Sequence, residues 1–381
     1  MKQGWEYKKL GEVCEVVSGS TPKTNVPEYW GEGHYWVTPA ELNDTIVYID
    51  KTERQITDEA LTKTKLRLLP VGTVLLSSRA PIGKVAITKT EMYCNQGFKN
   101  CICSDSIYNK YLFYFLRLKK EYLNSLGRGA TFKEISKSIV ESISIPLPPK
   151  STQLTIVSEL DKINELVRLK KEQLKDYDNL AQSIFYEMFG DPVENDKGWE
   201  VKKLGKVGQI VTGTTPSTNE ESNWNGNINW VTPAELGTQL YYGETIRRIS
   251  TNAAKKLTLM PVGTVLLSTR APIGKLAITK VPMCCNQGFK NIICCQDLNN
   301  IFLYFYLLLT MDKIKAMGRG ATFKEVSKQA ISHYLVPLPP LPLQHLFAKR
   351  IEQIEHQKSE VAKAITDLET LLASRMQYWF E

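Results

Sequence analysis

PVGTVLLSSRAPIGK, at residues 70–84, occurs a second time as PVGTVLLSTRAPIGK at residues 261–275, with a single conservative change. A long string that repeats at a fixed separation indicates a structural unit that is built twice, and it outweighs local propensity as evidence for a fold. The separation of 191 residues is about half of the 381-residue chain. The chain is therefore predicted to consist of two homologous halves.

Shorter strings repeat on both sides of this stretch. GWEYKKLGEV at 4–13 and WVTPAEL at 36–42 recur 194 residues later, the first with two changes, and GRGATFKEIS at 127–136 recurs 191 residues later with one change. Because the separation falls from 194 to 191 residues, the second copy is three residues shorter than the first. The missing residues lie in the segment where the two halves diverge, 43–69 in the first half and 237–260 in the second.

Each half is predicted to have two parts, because a proline cluster interrupts it. IPLPP at 145–149 and VPLPP at 336–340 cannot continue a helix or a central strand, and a heptad-like pattern of apolar residues follows each cluster. The predicted parts are a first block at 1–150, a central helix at 151–190, a second block at 191–340 and a distal helix at 341–381.

Each block is predicted to be a mixed α+β domain. VLLS at 74–77 and KVAI at 84–87 are typical of a hairpin around SRAPIG, and FKNCIC at 98–103 is typical of a further strand. The apolar residues of 108–126 recur with a helical period and predict a helix.

GRGATFKE is predicted to end that helix and to begin another. Gly127 lies where a left-handed residue often closes a helix, and Thr131 and Glu134 have the spacing of a capping box for a helix through ISKSIV. The alternative is a phosphate site, since Arg128 and Lys133 lie beside the predicted helix N-terminus.

The two predicted long helices carry apolar stripes that neither can bury alone. Heptad stripes on two helices of one chain bury each other, and a pseudo-twofold relation between the halves makes the helices antiparallel. Phe185, Phe189, Trp379 and Phe380 lie at the far ends of the helices, and each aromatic end is expected to pack against the opposite block.

Composition and charge favour a polyanionic partner. The formal charge is +8, and it is concentrated in the two blocks, with +5 in 1–150 and +6 in 191–340. No apolar run approaches the roughly 18 residues of a membrane span, so we expect a cytoplasmic protein without a membrane partner. In such a compartment the eight cysteines are expected to be thiols rather than disulfides. A zinc site is not expected, because structural zinc sites usually have tighter ligand spacing.

The order of these signatures resembles the specificity subunit of type I restriction–modification enzymes. The resemblance rests on GWE..KLGEV, PVGTVLLS, NQGFK, the G.G.TF..I string, and PLPP followed by Gln153 or Gln344, and it extends from Trp5 to Phe380. It implies two target recognition domains separated by two long antiparallel coiled-coil helices, an α+β architecture with an internal pseudo-twofold repeat.

The resemblance also implies a function. Each block would bind one half of a bipartite site in double-stranded DNA, and the helices would set the spacing and carry two DNA methyltransferase subunits. Restriction or translocase subunits would join for cleavage. Such a subunit is not itself an enzyme and holds no cofactor, so S-adenosylmethionine, ATP and Mg²⁺ are expected on the partner subunits.

The residues are consistent with a non-catalytic chain. APIGK lacks the glycine spacing of a phosphate-binding P-loop, and there is no H-E-x-x-H zinc motif. None of the four histidines occurs at corresponding positions of both halves. Two alternatives stay open, namely a DNA-binding scaffold and an enzyme that acts on DNA through an unfamiliar site.

The candidate DNA contacts are polar side chains at strand–loop junctions and beside predicted helix starts. Arginine pairs with guanine O6 and N7, amides match adenine N6 and N7, and exposed cations bind phosphate. The alternative is ordinary turn chemistry and solvation. In the first block the candidates are Ser77, Ser78, Arg79, Lys84, Asn95, Gln96, Lys99, Arg128 and Lys133. In the second block they are Ser268, Thr269, Arg270, Lys275, Asn286, Gln287, Lys290, Arg319 and Lys324.

The two candidate sets predict a nearly palindromic target. Only six of 34 positions differ between 70–103 and 261–294, and a pseudo-twofold would present these segments to opposite strands. The half-sites are therefore expected to be inverted copies or to differ at one or two bases. Alternatively, these segments are framework, and base choice lies in the divergent segments 43–69 and 237–260.

Overall fold

A computed structural model describes residues 5–79, 81–129, 133–270, 272–318 and 324–381. The chain divides into two compact units. The first unit comprises Met1–Lys170 and Ala364–Glu381, and the second comprises Lys171–Lys363. Each unit thus contains one block, part of the long helix that follows it and part of the other long helix.

Within the described residues, the first block contains three sheets. The main sheet has the strand order Cys14–Ser18, Lys99–Cys103, Val74–Leu76, Val85–Thr88 and Tyr48–Ile49. The small sheet has the order Gln55–Ile56, Trp30–Val37 and Tyr93–Cys94. A two-stranded ribbon pairs Glu6–Lys9 with Ser144–Leu147. Val74–Leu76 and Val85–Thr88 are antiparallel neighbours, which confirms the predicted hairpin, and Lys99–Cys103 confirms the predicted strand.

The second block repeats this topology. Its main sheet has the order Gly208–Thr212, Lys290–Cys294, Val265–Leu267, Leu276–Thr279 and Tyr241–Tyr242. Its small sheet has the order Arg247–Ile249, Trp224–Val231 and Met283–Cys285. Val201–Lys203 pairs with Leu335–Pro337 in a ribbon. Identical strand orders confirm the internal repeat that the sequence predicted.

Short helices complete the blocks, and two helices of 40 residues follow them. The helices of the first block are Leu10–Val13, Asp58–Lys63, Asn109–Leu118, Lys120–Leu126 and Lys137–Ser142, with 3₁₀ turns at Pro27–Tyr29 and Pro39–Glu41. Those of the second block are Leu204–Val207, Thr251–Ala254, Asn300–Leu309, Met311–Ala316 and Lys328–His333, with 3₁₀ turns at Glu221–Asn223 and Pro233–Glu235. The long helices are Lys150–Phe189 and Leu341–Phe380. Among the described residues, no helix combines the length and apolar character that crossing a membrane requires.

The aromatic ends of the long helices pack as the sequence predicted. In the second unit, Phe185 is 1% exposed and its ring centroid lies 5.6 Å from the centroids of both Phe302 and Phe347. In the first unit, Phe380 is buried and its ring lies 5.0 Å from that of Tyr111. The end of the first long helix therefore extends the core of the second block, and the end of the second long helix extends the core of the first block, from which it is distant in sequence.

The segments of the long helices within the second unit are antiparallel. Phe185 contacts Phe347, and Asp178, about two helical turns before Phe185, forms an ion pair with Lys358, which follows Phe347 in the other helix. The first helix ends at Gly190, which has a φ of 78° and donates its N–H to the carbonyl oxygen of Tyr186. Glycine adopts this left-handed conformation without strain, so it closes the helix.

The prediction for GRGATFKE is wrong in two details. Gly127 has a φ of −62° rather than a left-handed conformation, and the following helix begins at Lys137, with the Ser136 hydroxyl accepting from the Ile139 N–H. Glu134 therefore caps no helix. Thr131 lies outside the described residues. The predicted helix at 108–126 is interrupted at Lys119, where the chain turns between two shorter helices.

Candidate nucleic-acid interface

The hairpin that carries the first candidates is closed by its own buried serine. The Ser77 hydroxyl donates to the Pro81 carbonyl oxygen over 2.7 Å and accepts the Lys84 N–H over 2.9 Å. Ser268 makes the same two bonds in the second block. Both serines are fully buried, as are Ser78 and Thr269. These four hydroxyl residues form the framework of the hairpin, and none of their side chains faces solvent.

Behind each hairpin lies an ion cluster, which we define in the first block as Arg79, Lys99 and Glu134. Glu134 accepts from Arg79 Nε over 2.8 Å and from Lys99 Nζ over 3.1 Å. Glu134 and Arg128 also exchange two backbone hydrogen bonds, of 3.0 and 2.9 Å. The Glu134 carboxylate thus links the hairpin to the main sheet, and the Glu134 backbone links both to the segment at Arg128.

The second ion cluster consists of Arg270, Lys290 and Glu325, and it reproduces the first. Glu325 accepts from Arg270 Nε over 2.8 Å and from Lys290 Nζ over 3.1 Å. Lys290 is 5% exposed and Lys99 is 7% exposed, so neither ammonium group is available to a nucleic acid in this structure. The two arginines are about half exposed, and each cluster keeps one net positive charge.

The carboxylates of the clusters have lowered pKa values. Burial alone would raise the pKa of Glu134, but the hydrogen bonds from Lys99 and Arg79 outweigh it, so the pKa lies below the ordinary value of 4.5. Lys290 and Arg270 have the same effect on the pKa of Glu325. Both glutamates are therefore ionised at neutral pH and bind their cations as charged groups.

The predicted amide contacts belong to two tight turns. Asn95 Oδ1 accepts the Gly97 N–H over 2.9 Å, and Asn286 Oδ1 accepts the Gly288 N–H over 3.0 Å. The adjacent glutamines are exposed, and each accepts a hydrogen bond from a threonine hydroxyl through its Oε1, Gln96 from Thr21 and Gln287 from Thr215. The side-chain N–H groups of both exposed glutamines have no hydrogen-bond acceptor among the described residues.

The remaining predicted cations lie at or near the surface. Lys84 Nζ donates to the Pro39 carbonyl oxygen over 2.9 Å, and Lys275 Nζ is 3.5 Å from the Ala234 carbonyl oxygen. Arg128, Lys133 and Lys324 are exposed, and their side chains have no ion pair with any residue that the structure describes. Arg319 lies outside the described residues.

Sequence reasoning missed a second arrangement of cationic groups, on the small sheets. In the first block Arg54 lies over the Trp30 ring, with its guanidinium carbon 3.8 Å from the ring centroid and 5.5 Å from that of Trp36. In the second block Arg247 lies 4.0 Å from the Trp224 centroid and 5.5 Å from that of Trp230.

We call these groups the arginine clamps. The first arginine clamp is Arg54, Trp30 and Trp36; the second is Arg247, Trp224 and Trp230. Trp36 and Trp230 are each 2% exposed, whereas both arginines are exposed.

The signal for the clamps was present in the divergent segments. Arg54-Gln55-Ile56 and Arg247-Arg248-Ile249 share the pattern R-x-I at a separation of 193 residues, between the separations that hold on either side. A comparison at fixed offsets of 194 or 191 does not align them. The pairing of the strands aligns the two arginines. Ile56 lies opposite His34 and Ile249 lies opposite Ile228, and these two residues occupy the same position of the long central strand in their blocks.

Comparison with protein families finds one model twice in the chain. The model described as "Type I restriction modification DNA specificity domain" matches residues 2–176 and 196–369. The chain is 30% identical over 379 residues to the type I restriction enzyme MjaIX specificity subunit of Methanocaldococcus jannaschii, covering 92% of this chain and 86% of that protein. It is also 30% identical over 193 residues to the EcoR124I/EcoR124II specificity subunit of Escherichia coli, covering 49% and 47% of the two chains.

Solved structures share the fold. One, described under "complex assembly and conformational transition of the type I R-M system", superposes with a TM-score of 0.68 at 22% identity and covers 99% of this chain and 97% of the other. The type I restriction–modification S subunit from M. genitalium has a TM-score of 0.56 at 15% identity, covering 99% and 96%.

Proposed function

The chain belongs to the type I restriction modification DNA specificity family, and from that premise we propose how its surfaces serve DNA recognition. As a member of this family it is a DNA-recognition subunit without a catalytic centre of its own. The observation that carries the proposal is duplication: one family model matches twice, and each match contains the same sheets, ion cluster and arginine clamp. Two equivalent modules on one chain suit a bipartite site.

We assign one recognition domain to 1–150 and the other to 191–340, each binding one half-site. Within each domain the burial of the hairpin hydroxyls, Lys99 and Lys290 supports a framework role for them. DNA contact is left to the candidates that are not buried. These are Arg79, Lys84, Asn95, Gln96, Arg128 and Lys133 in the first block and Arg270, Lys275, Asn286, Gln287, Lys324 and Arg319 in the second, the last on the strength of the repeat alone.

The long helices are proposed to carry the modification subunits. Their segments in the first unit keep Leu154, Leu166 and Leu169 about half exposed, and those in the second unit keep Leu180 and Leu346 about half exposed. Exposed leucines on helices that already bury one stripe favour a further protein contact. Because the repeat supplies two equivalent surfaces, we propose two DNA methyltransferase subunits, with restriction subunits joining that assembly.

Methylation mapping tests this function. Cells expressing the chain with its cognate methyltransferase subunit are expected to show adenine methylation at one interrupted site, with half-sites that are inverted copies or differ at one or two bases. Cells expressing the methyltransferase subunit alone are the control and should show none of it. Absence of any sequence-specific methylation would refute the function. Half-sites of unrelated sequence would refute only the near-palindrome and would leave base choice to the divergent segments.

A further inference from the structure

We propose that Arg54 and Arg247 of the arginine clamps are base-reading residues, each contacting a guanine in the major groove of its half-site. This inference rests on the proposed function and deepens it. It places base reading in the divergent segments and on the small sheets, whereas the hairpin hydroxyls, Lys99 and Lys290 serve as framework.

Each arginine clamp is held rigidly by its tryptophan rings. The indole N–H of Trp30 donates to the Lys23 carbonyl oxygen over 3.3 Å, and that of Trp36 donates to the Ser20 carbonyl oxygen over 3.1 Å. The two rings meet edge to face with centroids 4.9 Å apart. A guanidinium stacked on fixed rings loses little freedom on binding and presents its N–H groups in one plane. That geometry matches guanine O6 and N7.

The second clamp has the same supports. The indole N–H groups of Trp224 and Trp230 donate to the carbonyl oxygens of Ser217 and Thr214, each over 3.2 Å, and the ring centroids lie 5.1 Å apart. Two copies that have diverged in length and sequence around the clamp thus keep the cation, both rings and both ring hydrogen bonds.

A half-buried glutamate in a 3₁₀ turn also fixes the backbone before each arginine. Glu41 Oε1 accepts the N–H of Glu53, which precedes Arg54, over 2.9 Å. Glu235 Oε2 accepts the N–H of Ile246, which precedes Arg247, over 2.8 Å. The glutamates therefore bind backbone and leave the guanidinium charge of the clamp uncompensated.

The clamp arginines differ from the hairpin arginines in their ion pairing. Arg79 and Arg270 each donate Nε to a carboxylate of their ion cluster. Arg54 and Arg247 are exposed, and neither has an ion pair with a residue that the structure describes. A cation that lacks an anionic partner in the protein attracts an external one more strongly than a neutralised cation does. The clamp arginines are thus better placed to bind DNA than the hairpin arginines.

The residues around the two arginine clamps differ. His34, on the strand of the first clamp, lies 2.8 Å from Asp58, whereas Ile228 occupies the corresponding position in the second block. Gln55 accepts the Gly33 N–H, whereas its counterpart Arg248 is exposed. Identical clamps in different surroundings predict half-sites that share a guanine and differ beside it.

The test uses the complete complex with its methyltransferase subunits and duplexes that carry the mapped target. Arg54→Ala is expected to weaken binding to the target by about 5- to 150-fold. The variant should lose its preference for guanine at one half-site and keep its base preferences at the other. Arg247→Ala should have the same effect at the other half-site. Replacing the contacted guanine by 7-deazaguanine, which lacks N7, should weaken binding by the wild-type complex but not weaken the matching alanine variant further.

Arg67→Ala is the matched control, because Arg67 is exposed, lies in the same unit and pairs with Glu15. Binding by that variant should equal wild type. If Arg54→Ala fails to fold, Arg54→Lys replaces it, since it keeps the cation over the ring but loses the planar fork. The Arg54→Lys variant should retain non-specific DNA binding and lose discrimination between guanine and the other bases at that position.

Three outcomes would overturn parts of the interpretation. A wild-type complex that prefers no sequence would refute the proposed function itself. A sequence-specific wild-type complex with an indistinguishable Arg54→Ala variant would overturn this inference and leave the function standing. A uniform loss on all duplexes, with a salt slope reduced by about one unit, would assign Arg54 to phosphate and also overturn base reading.

Discussion

Replacing Glu134 by glutamine should destabilise the first unit by leaving a buried ammonium group without its counter-charge. Lys99 has a side chain only 9% exposed, and its Nζ lies 3.1 Å from Glu134 Oε1. Removing one partner of a buried ion pair typically costs about 3–5 kcal/mol, because the remaining charge has lost its solvation. Since the Glu134 side chain is about one-third exposed and the amide can still accept a hydrogen bond, we expect a smaller loss of about 1–3 kcal/mol.

Urea unfolding of the wild-type chain and of the variant at neutral pH measures this loss. Glu15→Gln is the control, because Glu15 pairs with Arg67 at the surface, and it should change the free energy of unfolding by less than about 1 kcal/mol. Lys99→Met removes the buried charge and keeps an apolar side chain of similar length, so combined with Glu134→Gln it should restore part of the lost stability.

The pH dependence has a defined sign. The pKa of Glu134 is lower in the folded chain than its ordinary value of 4.5, so its contribution to stability is present above pH 4.5 and disappears as the pH falls through the lowered folded value. Glu134→Gln should flatten that part of the acid-unfolding curve. The reasoning fails if Glu134→Gln costs no more than Glu15→Gln, or if Lys99→Met adds to the loss.

Two further predictions concern the helix ends and the surface cations. Phe185→Ala should lower the free energy of unfolding by about 3–5 kcal/mol, because it removes a buried ring from the core of the second unit. The exposed Leu180→Ala should change it by less than about 0.5 kcal/mol, and equal losses in urea unfolding would contradict the packing. Lys133→Ala should weaken specific and non-specific DNA binding alike and reduce the salt slope by about one unit. A changed sequence preference at an unchanged slope would instead make Lys133 a base-reading residue.

The architecture was predictable because the sequence contains an internal repeat. Repetition of PVGTVLLS and WVTPAEL indicated two copies of one block, and the heptad stripes indicated the long helices. The hairpin and the strand at 98–103 followed from local pattern alone. Trp36 and Trp230, which lie inside the repeated string WVTPAEL, are both buried.

The local details that failed share one physical cause. Thr-x-x-Glu is a capping signal only if the chain is free to begin a helix there, and Glu134 instead pairs with Arg128 through its backbone and with Lys99 through its side chain. These partners are distant from Glu134 in sequence or lie across a loop. Short-range spacing does not encode such contacts, so tertiary pairing overrode the local signal.

The candidate site was predictable in its residue types but not in their exposure. SSRAPIG contains the polar residues expected of a DNA contact, yet the fold uses its two serines to close a buried turn. Whether a hydroxyl faces inward depends on strand register, which a one-residue shift reverses. The sequence did not indicate the arginine clamps, because Arg54 contacts Trp30 only when two strands pair in the folded chain.

The first unit is assembled from the two extremes of the chain, and this has a consequence for its biosynthesis. Trp5 stacks on Trp379 with ring centroids 6.2 Å apart, and Ala364–Glu381 is part of that unit, whereas the second unit is the uninterrupted stretch Lys171–Lys363. A chain emerging from the ribosome usually completes its N-terminal domain first. Here that order is reversed: all residues of the second unit are synthesised before Ala364–Glu381, and the first unit keeps an unfinished apolar surface until that segment is released. Nascent chains arrested before residue 364 should accordingly bind chaperones through the first unit.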